Sequence, residues 1–339
     1  MKLKPIPLSM LLCIVTFAYS FVTCEKNERA EITGHQEVKA ISQPIDLNSL
    51  CHNLTKEIQS IDNTRTTFAL EQINQNLKIC LPLMSFKEQV YLINLSTKMY
   101  QNFFKVERTA QQQNTFNLHA LDITQYPTTQ QSHLKEFSAR DQYLLHHKGQ
   151  AYIEVYDAGE AGLIYRRNPQ YLVRIFAPYL PKAEKVFIEH LAQQNMKPIV
   201  RNHKINVDAN VLAERALFWE YYIKQYPRSV YLKEAHQLFN LYSSLLFLGT
   251  RDAPISTTFA NEQSIQSDHF ITIKNIAQLS NSKLATKARK FINFVHMNTN
   301  EKNKMNSSPS SRDNLRKYLQ IEYASKSDFY HCLTDAICP

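Results

Sequence analysis

The side chains with the clearest potential for chemistry are five charged residues in one short segment, 150–167. They are Glu154, Asp157, Glu160, Arg166 and Arg167. Loops with unusual backbone requirements, held on a rigid scaffold, are favoured positions for binding. We therefore predict a polar contact surface in this segment. The competing interpretation is a surface hairpin whose charges are solvated and whose aliphatic face packs on helices.

A pair of carboxylates in the same segment would allow a different chemistry, the acid and base catalysis of glycan cleavage. Glu154 could pair with Asp157 or Glu160, although the sequence does not fix their separation. His146 and His147 are adjacent and point apart on a helix, which does not suit a metal site. The chain contains no nucleophile elbow, phosphate loop or dinucleotide fingerprint. We favour a protein with no catalytic residue, metal or cofactor, and keep a peptidoglycan hydrolase as the alternative.

The positive charge of the chain is concentrated in residues 273–318, which contain ten lysines or arginines and two acidic residues. This stretch carries +8 of the formal net charge of +9. The pattern over 282–298 predicts an amphipathic helix whose basic face contains Lys283, Lys287 and Lys290. Such a face is either solvated or contacts an anionic envelope surface or an acidic partner. We predict no nucleic acid as a partner, because the chain is exported.

Export is predicted from residues 1–23, where two lysines precede an apolar run over 8–22. This run is too short for a convincing transmembrane span. The motif Phe-Val-Thr-Cys over 21–24 resembles the lipobox of bacterial lipoproteins, which implies an acylated Cys24 as the first mature residue. The alternative is cleavage after Ser20, which gives a periplasmic protein. Three Asn-x-Ser/Thr triplets keep a secreted eukaryotic protein open as well.

The number of cysteines favours the lipidated form. Cleavage after Ser20 leaves an odd number of cysteines in an oxidising compartment. Acylation of Cys24 leaves four, which can form two bridges. Proximity along the chain suggests Cys51–Cys80 and Cys332–Cys338, although four cysteines allow three connectivities.

The elements that position these side chains are predicted to be helices. The chain of 339 residues has only five glycines. Glycine is needed where the backbone adopts positive φ, as in hairpin-rich and nucleotide-binding α/β folds, whereas helix interiors disfavour it. Gly149, Gly159 and Gly162 lie together beside two β-rich runs and predict a β-hairpin over 150–167. The predicted fold class is mainly α, an irregular helical domain of αα-hairpins with one β-hairpin insertion.

The order of segments follows from composition and periodicity. After the signal we predict a tether (24–45), a helical domain (46–298), a linker (299–311), and a C-terminal helix with a disulfide-closed tail (312–339). Within the domain, residues 107–127 are predicted to be a loop and residues 128–147 one helix. The linker is inferred from its Asn-, Ser- and Lys-rich composition.

The most distinctive local pattern lies at 211–249. Trp219, Tyr226, Ala235 and Phe239 follow the relative spacing of the tetratricopeptide signature. The segment resembles a tetratricopeptide-like helix pair as in outer-membrane assembly lipoproteins. In that motif the small alanine lets the second helix approach the first. No second copy lies about 34 residues away in either direction, so we do not predict a repeat array.

Together these features predict an exported, lipid-anchored bacterial envelope protein that acts as a non-enzymatic binding or scaffold module. The expected partner is an envelope protein or an anionic envelope surface, with membrane contact through the lipid anchor. The expected location is the periplasm, with the outer membrane favoured and secretion as the alternative.

Overall fold

Several helices begin where a polar side chain caps the first turn. Asp46 accepts a hydrogen bond from the backbone N–H of Asn48, at 3.1 Å, at the start of the first helix. Ser85 and Glu88 form both bonds of a capping box at the start of the third. These caps satisfy N–H groups that have no partner inside a helix. Both helices begin at the residue that follows the cap.

The computed structural model describes residues 46–121, 131–158, 162–197, 199–201, 204–304, 310–322 and 332–338. The predicted signal, the tether and Cys24 lie outside the described residues. The helices before the hairpin are α1 (Leu47–Gln59), α2 (Thr67–Cys80), α3 (Phe86–Phe103), α4 (Ala110–His119), α5 (Gln131–Leu134) and α6 (Ala139–His146). The hairpin consists of β1 (Ile153–Asp157) and β2 (Leu163–Arg167). The following elements are α7 (Gln170–Ile175), α8 (Lys182–Asn195), β3 (Val200–Arg201), β4 (Lys204–Ile205), α9 (Ala209–Gln225), α10 (Leu232–Leu248), α11 (Ser267–Ala277), α12 (Lys283–His296), α13 (Thr299–Lys304) and α14 (Ser311–Tyr318).

The described fold is mainly helical with one antiparallel β-hairpin of five-residue strands, which confirms the predicted fold class. A second antiparallel pair, β3 with β4, has two residues in each strand. Residues 46–339 form one compact unit, and α14 packs on α12 within it. The C-terminal helix therefore belongs to the same unit as the helices before it.

Two segments before the hairpin differ from the sequence prediction. Helix α4 lies within the stretch predicted as a loop, because Thr109 and Gln112 form a capping box and Phe116 is fully buried. The single helix predicted over 128–147 is divided into α5 and α6. The second of these helices begins after Ser138, because the side chain of Ser138 accepts a hydrogen bond from the backbone N–H of Asp141 and caps the new helix.

Part of the predicted linker is also helical. Asn298 and Glu301 exchange backbone-to-side-chain hydrogen bonds of 2.8 and 2.9 Å at the start of α13. Lys302 in this helix donates to the carbonyl oxygens of Phe259 and Ala260. The composition of the segment favours a linker, but these contacts fix its first half on the domain.

Six helix C-termini of the described chain receive hydrogen bonds from long cationic side chains of other elements. The last carbonyl groups of a helix have no partner within it and carry the negative end of the helix dipole. Arginine or lysine donates to terminal carbonyls of α3 (Arg140 to Phe103), α8 (Arg166 to Asn195), α10 (Arg312 to Leu248), α11 (Arg289 to Ala277), α12 (Lys302 to Val295) and just beyond α14 (Lys287 to Leu319). Much of the positive charge of 273–318 therefore serves to cap helices.

Glycine is seldom the residue that follows a helix in the described chain. Gly249 closes α10 with φ +72°, and a Cβ there would lie 2.6 Å from the carbonyl oxygen of Ala253. After α14, however, the left-handed position is taken by Gln320, with φ +53°. The backbone N–H groups of Gln320 and Ile321 then donate to the carbonyls of Lys317 and Arg316, in the pattern of a Schellman motif. A non-glycine residue is strained in this conformation, so the extra donor from Lys287 supports it.

Two further contacts join helices in pairs. A disulfide between Cys51 and Cys80 links α1 to α2, as predicted. Helices α9 and α10 form the most extensive helix–helix contact of the described chain, with Trp219 and Ala235 fully buried. Trp219 Nε1 donates to Gln194 of α8 at 3.0 Å. The region predicted as an αα-hairpin is thus a packed helix pair, and its resemblance to tetratricopeptide proteins stays a prediction.

The capping role of the cations predicts a stability effect. Arg312→Met removes the two donors that reach the carbonyls of Leu248 and Gly249 at the end of α10. Hydrogen bonds from a charged donor contribute about 1.5–3 kcal/mol, so we expect the free energy of unfolding to fall by about that amount. Lys233→Met, an exposed site on the same helix, should change it by less than about 0.5 kcal/mol. Urea unfolding of both variants measures the difference, and equal stability would contradict the capping role.

Candidate functional site

Arg167, at the end of β2, is buried and fully engaged. Its side chain is 2% exposed and donates to the carboxylate of Asp335 in the C-terminal tail, at 2.6 Å from Nη2 and 3.1 Å from Nε. It also donates to the hydroxyls of Ser96 and Thr97 on α3. The guanidinium lies 4.7 Å from the ring centroid of Tyr171. Arg167 therefore connects three parts of the chain and is not on an open surface.

Arg166 is the second buried cation of the hairpin. It lies opposite Glu154 in the antiparallel register and donates to it at 3.1 Å. Its Nη1 donates to the carbonyl of Asn195, at the end of α8, and to that of Thr334 in the tail. The guanidinium stacks 3.8 Å above the ring of Tyr156. One face of the hairpin thus contacts the C-terminal tail.

The C-terminal tail is a small loop closed by the disulfide Cys332–Cys338, as predicted. Asn195 Nδ2 donates to the carbonyls of Cys332 and Asp335, at 2.8 and 2.6 Å. Ala336 and Ile337 are buried. Because its carbonyls and its one aspartate are held by α8 and the hairpin, this loop occupies the face that the sequence suggests for an external partner.

The opposite face of the hairpin is tied to the N-terminal helices. Tyr165 donates from its hydroxyl to the carboxylate of Asp141, at 3.0 Å. Asp141 is fully buried and is held by Arg108 through two hydrogen bonds of 2.9 and 2.7 Å. Burial, together with the charge of Asp141, raises the pKa of Tyr165 well above its usual value. Arg108 and Asp141 belong to the site, but no motif marks them in the sequence.

The structure separates the five predicted hairpin residues. Arg166, Arg167 and Glu154 are engaged in the contacts above, and Asp157 is half-buried at the end of β1. Glu160 lies outside the described residues. The pairing of Glu154 with Asp157 or Glu160 that the alternative of glycan cleavage requires therefore stays a prediction.

The three predicted lysines of α12 differ in their surroundings. Lys283 is exposed, and its Nζ has no hydrogen-bond or ion-pair partner among the described residues. Lys290 is half-buried with its ammonium 6.0 Å from the ring centroid of Tyr318. Lys287 lies between them and donates to the carbonyls of Leu319 and Gln320, at 2.6 and 2.8 Å. Burial and the charges of Lys290 and Lys283 lower the pKa of Lys287 to about 8.

A cavity of about 180 Å³ lies beside Lys283 and Lys287, between α9, α10 and α12. Its lining consists of Glu220, Ile223 and Lys224 from α9, His236, Phe239 and Asn240 from α10, and the two lysines from α12. Sequence analysis identified only these two lysines. The residues of α9 and α10 belong to an ordinary amphipathic pattern, so their convergence depends on how the helices pack.

Glu220 fixes the geometry of this cavity. Its carboxylate accepts hydrogen bonds from Ser282 Oγ and from the backbone N–H groups of Lys283 and Leu284. Burial opposes ionisation of Glu220, but these donors outweigh it and lower its pKa. An anion at a helix N-terminus is stabilised by the helix dipole. Glu220 therefore holds the first turn of α12 against α9.

Three other findings bear on function. The described residues contain no group of three or more His, Cys, Asp or Glu side chains that could hold a metal ion. Among the same residues, no helix is long and apolar enough to cross a membrane. Comparisons with protein-family models, with curated proteins and with solved structures find no match to this chain.

The contacts of Arg167 predict a large effect on stability. Arg167→Met leaves the carboxylate of Asp335 without its cation in a buried position. Breaking a buried ion pair costs about 3–5 kcal/mol, so we expect a loss of that size in urea unfolding. Arg228→Met, at an exposed position, should change stability by less than about 0.5 kcal/mol. If the two variants are equally stable, the tail does not depend on Arg167.

Proposed function

We propose that this chain is an exported, lipid-anchored bacterial envelope protein that acts as a non-enzymatic binding or scaffold module. Its two disulfides are typical of an oxidising compartment. The lipobox-like motif and the even number of cysteines that remain after acylation support the anchor. The proposed location is the periplasm, at the outer membrane.

The observation that carries the binding role is the basic face of α12. Many cations of 273–318 cap helix ends, whereas Lys283 and Lys290 are not used in this way among the described contacts. Both lie on one side of the helix, with the half-buried Lys287 between them. Lysines within about a Debye length of an anionic surface contribute about 1 kcal/mol each to attraction. The proposed contact is therefore an anionic envelope surface.

The charge distribution favours an extended surface as the partner. The rest of the chain carries only +1 in total, so most of the net charge that could attract an anionic surface lies within 273–318. A lipid anchor at Cys24 would hold the domain near a membrane, where the attraction of the lysines would add to the hydrophobic attachment of the acyl chains. An acidic envelope protein is the other candidate partner.

Vesicle binding tests this proposal when the anchor is removed. The mature chain with Cys24→Ser should co-float with vesicles that contain anionic lipid, and much less with zwitterionic vesicles or at high salt. Lys283→Glu with Lys290→Glu should reduce the bound fraction at least tenfold. Lys98→Glu with Lys233→Glu gives the same change of charge at exposed sites elsewhere. Equal binding by both double variants would overturn the proposed role of α12.

The anchor itself predicts a defined mature N-terminus. Intact mass spectrometry of the mature protein should show a chain that begins at Cys24 and carries diacylglycerol. Cys24→Ser should remove this mass and shift the protein from the membrane to the soluble fraction. A mature chain that begins at Phe21 without lipid would contradict the anchor.

A further inference from the structure

The cavity between α9, α10 and α12 holds an excess of positive charge. Lys224, Lys283 and Lys287 line it, and Glu220 is the one acidic residue of the lining. Lys224 Nζ donates to the carbonyl of Asn281 at 2.6 Å and lies 3.5 Å from Glu220, which leaves part of its donor capacity for a ligand. The carboxylate of Glu220 is already directed at the N-terminus of α12, where it accepts three hydrogen bonds. Like charges in a partly buried space repel each other, and a bound anion would relieve that repulsion.

Polar groups on the wall of the cavity are available to a ligand. Lys283 Nζ, the imidazole of His236 and the amide of Asn240 have no hydrogen-bond or ion-pair partner among the described residues. An ammonium group offers three donors, and an amide offers two donors and an acceptor. Such groups match the oxygens of a carboxylate or a phosphate.

The remaining lining of the cavity is apolar. Ile223 and Phe239 lie on its wall, and Phe239 is 6% exposed. The volume of about 180 Å³ has room for roughly six water-sized groups. A fully hydrated inorganic ion would leave the apolar wall unmatched, and a neutral hydrocarbon would leave the cations unmatched. Binding sites for small molecules combine an apolar lining with a few convergent polar groups in this way.

We propose that this cavity binds a small organic anion, in which a carboxylate or phosphate is carried by a short apolar group. The anionic group contacts Lys224, Lys283 and Asn240, and the apolar group packs on Ile223 and Phe239. This inference goes beyond the proposed function, which concerns an extended anionic surface and the exposed side of α12.

Lys287 gives the site a dependence on pH. With a pKa of about 8, Lys287 carries its proton below pH 8 and loses it above. The protonated form attracts an anion, so affinity should decrease as pH rises through 8. The charged and polar groups that face Lys287 from its own and neighbouring elements are Lys283 and Lys290 on α12, Glu220 and Lys224 on α9, His236 on α10, Glu322, and the carbonyls of Leu319 and Gln320.

Phenyl phosphate is a suitable probe because it combines both halves of the proposed ligand. Isothermal titration of the mature chain at pH 7 should show saturable binding with a dissociation constant below about 1 mM. Inorganic phosphate and benzyl alcohol, each of which offers one half, should bind at least tenfold more weakly. Affinity for phenyl phosphate should fall severalfold between pH 7 and pH 9, where the probe itself remains a dianion.

Variants locate the binding to the cavity. Lys224→Met and Asn240→Leu should each weaken phenyl phosphate binding at least fivefold. Lys290→Met removes one charge from α12 at a position outside the cavity and should change affinity less than twofold. Circular dichroism and the thermal midpoint establish that each variant is folded. No saturable binding of phenyl phosphate at ten times the expected dissociation constant, or an equal effect of Lys224→Met and Lys290→Met, would overturn the proposal.

Comparison of vesicle binding with phenyl phosphate binding distinguishes failure of the proposed surface contact from failure of the proposed small-anion site. Lys224→Met should weaken phenyl phosphate binding and leave vesicle binding unchanged. Lys290→Met should weaken vesicle binding and leave phenyl phosphate binding unchanged. If Lys224→Met weakens both to the same degree, the cavity recognises the lipid surface, and the proposal of a separate small-molecule site is wrong.

Discussion

The carbonyl groups at helix C-termini impose the constraint on which much of this structure depends. A mainly helical chain has many such ends, and each leaves carbonyl oxygens without a partner. Glycine in a left-handed conformation often solves this problem, but the chain has five glycines. Arginine and lysine side chains take their place, as Arg312 does at the end of α10 and Arg289 does at the end of α11. Because each donor comes from another element, every cap is also a tertiary contact.

The hairpin is the junction between the two ends of the domain. On one face, Tyr165 joins the buried pair of Arg108 and Asp141 near α4 and α6. Arg167, on the same face as Tyr165, and Arg166, on the opposite face, both hold the tail that is closed by Cys332. Buried ion pairs contribute little net stability but are costly to break. Their arrangement therefore makes the position of the tail depend on a correctly formed hairpin.

Helix capping also explains where unused positive charge remains. Lys287 is committed to the end of α14, and Glu220 to the start of α12. Lys283 is left free of described partners beside a cavity, and Lys224 approaches from α9. The proposed surface contact and the proposed small-anion site arise from this same local excess of lysine.

The sequence by itself determined the helical class, the hairpin and several helix starts, and it suggested both disulfides among three possible connectivities. These depend on short-range physics, such as the capping box of Ser85 and Glu88, or on proximity along the chain. It did not reveal helix α4, because a polar, Gln-rich composition masks the buried Phe116. Only the tertiary structure decided that Arg166 and Arg167 face inward to the tail, and that residues of α9 and α10 meet Lys283 at a cavity. The local sequence pattern around a charged strand residue is the same whether its side chain is hydrated or paired with a distant carboxylate such as Asp335. Only the packing of distant segments decides which of the two occurs.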